Sequence, residues 1–202
     1  MAQLNLYYQT HLNAIVILLP SQSDADMDDH LLFNLTQQIK GKVAEDGIII
    51  KIYRLIDYDY GVIDKTNLSC DIKYNVKYEC LLCSVQQHLE IICVVSDLVK
   101  GLIIAQNGPV VVVVPMASVD TNKFTLVQQT VVHEETKKKL ALRDYIKVSV
   151  INTDSNKGDN NITAICKLID MANNDEIKRY KEDQALISEV NVRDADEAPV
   201  FI

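Results

Sequence analysis

LIIAQNGPVVVVVP, Leu102 to Pro115, decides how the second half of the chain is read. Two apolar runs flank Asn107-Gly108-Pro109, residues that punctuate a chain and do not continue a strand. Leu102 to Ala105 and Val110 to Pro115 are therefore expected as two short strands joined by a turn. Five consecutive valines, Val110 to Val114, imply burial on both faces. Left bare, such a run is an aggregation hazard. Glu90 to Ser96 reads as a strand before this pair, with Lys100-Gly101 as the turn between. Tyr145 to Asn152 and Ile162 to Ile169 read as strands after it, separated by the polar stretch Asp154 to Asn161.

Five short strands with one long connection, residues 116–144, suit a small closed barrel such as the five-stranded oligonucleotide-binding (OB) barrel. The connection carries ETKKKLALRD, in which a helical turn fits. Upstream the pattern is different. Ala14 to Leu19 (AIVILL) is an apolar run stopped by Pro20 and reads as a buried strand. Met27, Leu31, Leu32, Leu35 and Ile39 fall at helical spacing on one face, and Gly41 is a natural stop. Ile48 to Ile56 and Tyr74 to Val85 read as strands, with Asp57 to Gly61 (DYDYG) as a turn. The fold class is α+β: a small α+β domain over residues 1–84, then the barrel over 85–171. Residues 172–202 form a tail, helical from Asp175 to Leu186, then acidic and expected to be mobile, ending in Val200-Phe201-Ile202.

Hydrophobic residues make up 48% and charged residues 24% of the 202, an ordinary globular composition. Net charge is -8 and the pI about 4.9, which turns attention from nucleic acid to protein partners. Met1 to Gln9 lacks the pattern of a signal peptide, and no apolar run is long enough to span a bilayer. An intracellular protein with no membrane partner and reduced cysteines is expected.

Several motifs resemble the stalk subunit of multi-subunit DNA-dependent RNA polymerases, which is the seventh subunit in RNA polymerase II and has a counterpart in archaea. The strand ending at Pro20, the helix ending near Gly41 and the glycine before IIIKIY (Gly47) are similar to that family's tip domain. Tyr60-Gly61-Val62-Ile63 followed by Tyr74-Asn75-Val76-Lys77-Tyr78 is the most specific match. Gly101 with Gly108-Pro109, and Ala164-Ile165-Cys166, resemble the barrel half. The chain departs from the pattern between Gly41 and Gly47, at Leu89 to Val94, and at Cys166, where the family has glycine. Such divergence suits a polymerase encoded by a large DNA virus.

The resemblance implies a tip domain that docks on core subunits of the polymerase through Gly41, Gly47, Tyr58, Tyr60 and Gly61. It implies a smaller stalk partner packed along the junction of tip and barrel, making a heterodimer. The barrel would project near the RNA exit path and touch nascent RNA weakly through Lys100, Lys123, Lys137, Lys138, Lys139 and Arg143. The middle strands carry no aromatic residue on which a base could stack. Catalysis would belong to other subunits, and no cofactor is implied. The protein would work in the nucleus or cytoplasm, or in the virion if viral.

The rival signal is Cys80-x2-Cys83-x4-His88-x4-Cys93, the spacing of a zinc knuckle. A free-standing RNA-binding module with such a knuckle, like a translation-factor component, is the alternative. Knuckles need glycines and polar residues, whereas Leu81, Leu82, Val85, Leu89, Ile91 and Ile92 intervene here. In an extended strand Cys80 and Cys83 point to opposite faces, so buried thiols and no metal are expected. Asp24-x-Asp26-x-Asp28 begins like a calcium loop, but Asp29 and Leu35 stand where glycine and glutamate are required. No phosphate loop or nucleophile elbow occurs, and His11, His30, His88 and His133 lack a nucleophile at motif spacing.

Overall fold

The computed structural model describes residues 5–63, 70–99, 101–127, 130–134 and 137–196. The chain divides into two compact units, Tyr7–Ser84 and Val85–Ile202 with Met1–Leu6.

In the first unit β1 (Tyr7–Leu18), α1 (Met27–Ile39), β2 (Ile48–Tyr58), β3 (Val62–Ile63) and β4 (Ile72–Cys83) follow in order. β4 is central, antiparallel to β1 on one side and to β2 on the other, and β3 pairs with its first residues. One face of this sheet is covered by α1. Val16, Leu18, Ile49, Tyr74, Val76, Tyr78, Cys80 and Leu82 pack there with Leu31 and Leu35 of the helix. The helix lies where the apolar spacing puts it, with Asp28 and Asp29 in its first turn, where the macrodipole favours anions. AIVILL is buried on one face only. Ile15, Ile17 and Leu19 are exposed, because a single helix covers a single side of β1.

The second unit holds a closed barrel. Its strands are β5 (Glu90–Val99), β6 (Leu102–Asn107), β7 (Val110–Pro115), β10 (Tyr145–Asp154) and β11 (Ile162–Met171). Going round, the order is β5-β6-β7-β11-β10 and back to β5. All pairs are antiparallel except β7 with β11. This is an OB-like barrel, as expected. Alternate residues fill it, among them Cys93, Val95, Ile103, Ala105, Val148, Ala164 and Cys166. Register shifts between Val95 and Asp97, at Ile151 in β10 and at Ile169 in β11 bend the strands so that five can close. The valine run obeys the same alternation. Val110, Val112 and Val114 are buried in the barrel, while Val111 and Val113 are half-buried on its outer face. Burial on both faces is thus not met within the chain, because a barrel strand has one inner face.

The long connection carries structure of its own. A one-turn helix over Met116–Ser118 and a short hairpin, β8 (Phe124–Val127) with β9 (Thr130–His133), stand in it ahead of ETKKKLALRD, and the helical turn expected in that stretch does not form among its described residues. After the barrel, α2 runs from Asn174 to Asp196, ten residues beyond the expected end at Leu186. Its first turns pack on the barrel. Tyr180 meets Tyr145 edge-on at 5.5 Å, and Gln184 donates to Asn107 Oδ1 at 2.9 Å.

Candidate interaction surfaces

The end of the first sheet where β1 stops and β4 starts is built to present apolar groups. Pro20 opens a one-turn helix over Pro20–Gln22, and Gln22 Oε1 accepts from the Leu19 N–H at 3.1 Å. After β2, the Asp59 N–H donates to the Asn75 carbonyl at 3.0 Å and Asn75 Nδ2 donates back to Asp59 Oδ2 at 3.2 Å. Gly61 then lies flat against β4. A Cβ there would sit 2.4 Å from Ile72 Cγ2 and 2.6 Å from Tyr74 Cζ, so any other residue must push one of these side chains or the turn aside. This turn holds Tyr60 out at 97% exposure. Beside it, Val62 pairs with Lys73, which pairs with Ile17, and Ile15 follows Ile17 on the same face. Val62 is 64% exposed and Ile15 60%. On this face Lys73 stands between Val62 and Ile17, so the exposed apolar side chains gather around a lysine, which makes the end of the sheet a candidate interaction surface.

The expected docking residues fall into three groups. Tyr60 is presented to solvent. Tyr58 faces α1: its hydroxyl donates to Asp28 Oδ1 at 2.8 Å, and its ring meets Tyr74 edge-on at 6.0 Å. With Gly61 it supports the turn from beneath. Gly41 and Gly47 lie at the other end of β4, which at about 3.3 Å per residue is roughly 36 Å long. Gly41 (φ +72°) donates to the Ile49 carbonyl at 2.8 Å, and Gly47 (φ +145°) passes so close to Cys83 that a Cβ would be 2.2 Å from its carbonyl oxygen. Ile15, Ile17 and Val62 do not stand out in the sequence. Their runs are apolar on both faces, which hides the side that is covered.

The basic candidates on the second unit also separate. Lys100 lies outside the described residues. Lys123 pairs with Asp170 and Lys138 with Asp144, the latter at 2.6 Å. Lys137, Lys139 and Arg143 are exposed with no acidic partner among the described residues. All three sit on the connection between the third and fourth barrel strands. Barrels of this architecture bind oligonucleotides across strands two and three and the adjoining loops. Here that face carries Leu102, Ile104, Gln106, Val111 and Val113, with no aromatic ring.

Asp170 ties the hairpin to β11. Lys123 donates to one carboxylate oxygen, and His133 Nε2 lies 3.2 Å from the other. Phe124 meets the His133 ring edge-on at 5.1 Å. Partial burial works to raise the Asp170 carboxyl. The hydrogen bonds from Lys123, the Met171 N–H and His133 outweigh it, and the group sits below its usual range.

The knuckle residues do not share a site. Cys80 and Cys83 are buried in β4 of the first unit and face opposite sides, whereas Cys93 points into the barrel of the second. Burial pushes the Cys80 thiol up to about 11 and Cys83 to about 12, away from the thiolate that zinc requires. Among the described residues no group of three or more His, Cys, Asp or Glu side chains is placed to hold a metal ion. A groove of about 530 Å³ lies beneath α2, with Lys147 bridging Glu90 at 2.8 Å and Glu176 at 3.1 Å. No helix among the described residues is long and apolar enough to cross a membrane.

No family model matches the chain. It is 49% identical over 197 residues to a protein of Acanthamoeba polyphaga mimivirus that is named as a DNA-directed RNA polymerase subunit. The alignment covers 98% of this chain and 99% of the relative. With that identity over both full lengths, the chain belongs to the family of DNA-directed RNA polymerase subunits that the mimivirus protein represents.

Proposed function

We propose that this chain is a non-catalytic stalk subunit of a viral DNA-directed RNA polymerase, docking on core subunits through the Tyr60 end of its first unit. The observation that carries this is the exposure of Tyr60, Val62, Ile15 and Ile17 at one end of the sheet, with Gly61 packed against Tyr74 beneath the Tyr60 turn. A smaller stalk partner and the nascent RNA are its further contacts, the latter weak. The barrel's outer face offers aliphatic side chains where single-strand binders offer aromatic ones, each of which is worth about 1–3 kcal/mol per base. Three cations without an acidic partner among the described residues, Lys137, Lys139 and Arg143, leave a salt-sensitive touch. The protein acts inside the infected cell and travels in the virion with the enzyme.

The test is retention on the polymerase. Changing Tyr60 and Val62 to Ala should release the subunit, while changing Lys137, Lys138 and Lys139 to Ala should leave it bound. If the first variant stays and the second leaves, docking runs through the barrel. Nanomolar binding of single-stranded RNA by the free chain at physiological salt favours an RNA-binding module instead.

A further inference from the structure

The first turns of α2 engage three side chains of the barrel at helical spacing. Tyr145 and Lys147 stand two positions apart on β10 and face outward, while Ile146 and Val148 fill the barrel. Glu176 Oε1 lies 3.1 Å from Lys147 Nζ. One turn on, the Tyr180 ring meets Tyr145 edge-on at 5.5 Å. A further turn on, Gln184 Nε2 donates to Asn107 Oδ1 at 2.9 Å. Asn107 Nδ2 donates in turn to the Ile92 carbonyl at 2.8 Å, which fixes its oxygen toward the helix. Residues 176, 180 and 184 share one helical face. α2 thus sets a carboxylate on the cation, a ring on the ring and an amide on the amide.

The seat is loose. A groove of about 530 Å³ remains beneath the helix, lined by Leu89, Ile91, Ile92 and Asp183 among others. Asp183 is half-buried with no partner among the described residues. Burial, helped by the Glu182 charge, pushes its carboxyl up. A carboxylate taken from water without a partner opposes the docked state. The helix carries seven acidic and four basic residues, so a chain of net charge -8 repels it as a whole. Only its start is firmly tied. Glu176 Oε2 accepts from the Asn173 N–H at 2.8 Å, and the Ala172 N–H donates to the Tyr145 carbonyl at 3.0 Å. Release therefore pivots about Asn173.

We propose that α2 is a mask in cis over a single-strand nucleic-acid subsite made of Tyr145, Lys147 and Asn107, with Glu176, Tyr180 and Gln184 standing where a phosphate, a base ring and a base edge bind. The two β10 side chains are about 7 Å apart at a strand rise of about 3.3 Å, within the span of one nucleotide. A stacking ring beside a cation is what sequence-tolerant single-strand binders use. The subsite centres on β10, the fourth barrel strand, and not on the aliphatic face of strands two and three. Lys147 keeps Glu90 at 2.8 Å after release, so its charge is only partly freed and the gain is modest. The proposal rests on the reading that the barrel touches RNA, and adds that the chain itself limits this contact.

Fluorescence anisotropy of a short labelled oligoadenylate at low salt tests this on the full chain. Glu176→Gln with Tyr180→Ala should bind about tenfold more tightly than the parent, the effect of one stacked base. A chain ending at Asn173 should show the same gain. Glu182→Gln makes the same charge change on an exposed residue and should stay within about twofold of the parent. Tyr145→Ala added to the unmasked variant should return it to the parent level. An equal gain from Glu182→Gln, or a gain that survives Tyr145→Ala, is general charge relief and overturns the mask. No gain in either unmasked form, with the parent still binding, overturns the mask and leaves the RNA contact standing. No binding by any form, the parent included, removes the RNA reading and the mask with it.

Discussion

The Cα of Gly61 lies against the ring of Tyr74, with room for a hydrogen and not for a methyl group. This contact sets the path of the turn that exposes Tyr60. Gly61→Ala must displace Tyr74 or lift the turn. Overpacking of this kind costs about 1–3 kcal/mol, so the urea midpoint should fall and retention on the polymerase should weaken together. A variant as stable and as firmly bound as the parent refutes the role given to Gly61.

Two tyrosines two residues apart should behave oppositely. Tyr60→Ala removes an exposed side chain and should change stability by less than about 0.5 kcal/mol while abolishing docking. Tyr58→Phe loses the hydrogen bond to Asp28 and should cost about 0.5–1.5 kcal/mol while docking persists. Thermal melts and co-purification separate the two. Equal loss of docking in both places the contact on α1 as well.

Asp170 gives the hairpin a pH dependence. Its carboxyl is held below the ordinary value of 3.8 in the folded chain. A depressed carboxylate contributes its stability in full above the unfolded value and loses it as the pH falls through the folded one. Asp170→Asn should therefore destabilise the protein by about 1 kcal/mol at neutral pH, with allowance for partial solvent screening. The difference from the parent should shrink below the ordinary carboxylate range. A difference that stays constant down to strongly acidic pH points to packing and not to charge.

Buried thiols make a chemical prediction. Cys70 is exposed, while Cys80, Cys83, Cys93 and Cys166 are buried, with thiols raised by burial. Under native conditions a thiol reagent should modify Cys70 first, and the other four only on unfolding. Elemental analysis of protein purified without chelator should find well below one zinc per chain. Stoichiometric zinc lost on Cys83→Ser revives the knuckle.

RNA contact should be weak and electrostatic. Changing Lys137, Lys139 and Arg143 to Ala should lower the slope of log affinity against log salt by about 0.7 per lost phosphate contact on single strands. An unchanged slope moves the RNA path elsewhere.

Helix α1 and the five barrel strands are legible from residue order alone. Apolar spacing from Met27 to Ile39 has only one helical reading, and Asn107-Gly108-Pro109 breaks the chain between two runs that the barrel later pairs. The hairpin at Phe124 is not legible, since four-residue strands in a polar connection barely alternate. Which side of AIVILL or of the valine run is covered is a matter of neighbours. Both runs are apolar at every position, so their periodicity says nothing, and only the placement of α1 and the closing of the barrel leave Ile15, Ile17 and Val113 outside. The same holds for the two tyrosines. DYDYG announces a turn, but Tyr58 turns inward to Asp28 and Tyr60 outward because Gly61 can press against Tyr74, a residue that arrives from thirteen positions further along the chain. Nor does sequence say that β1 is an edge. That follows from β4 taking the centre of the sheet, a choice made by pairing between strands and written in no single stretch.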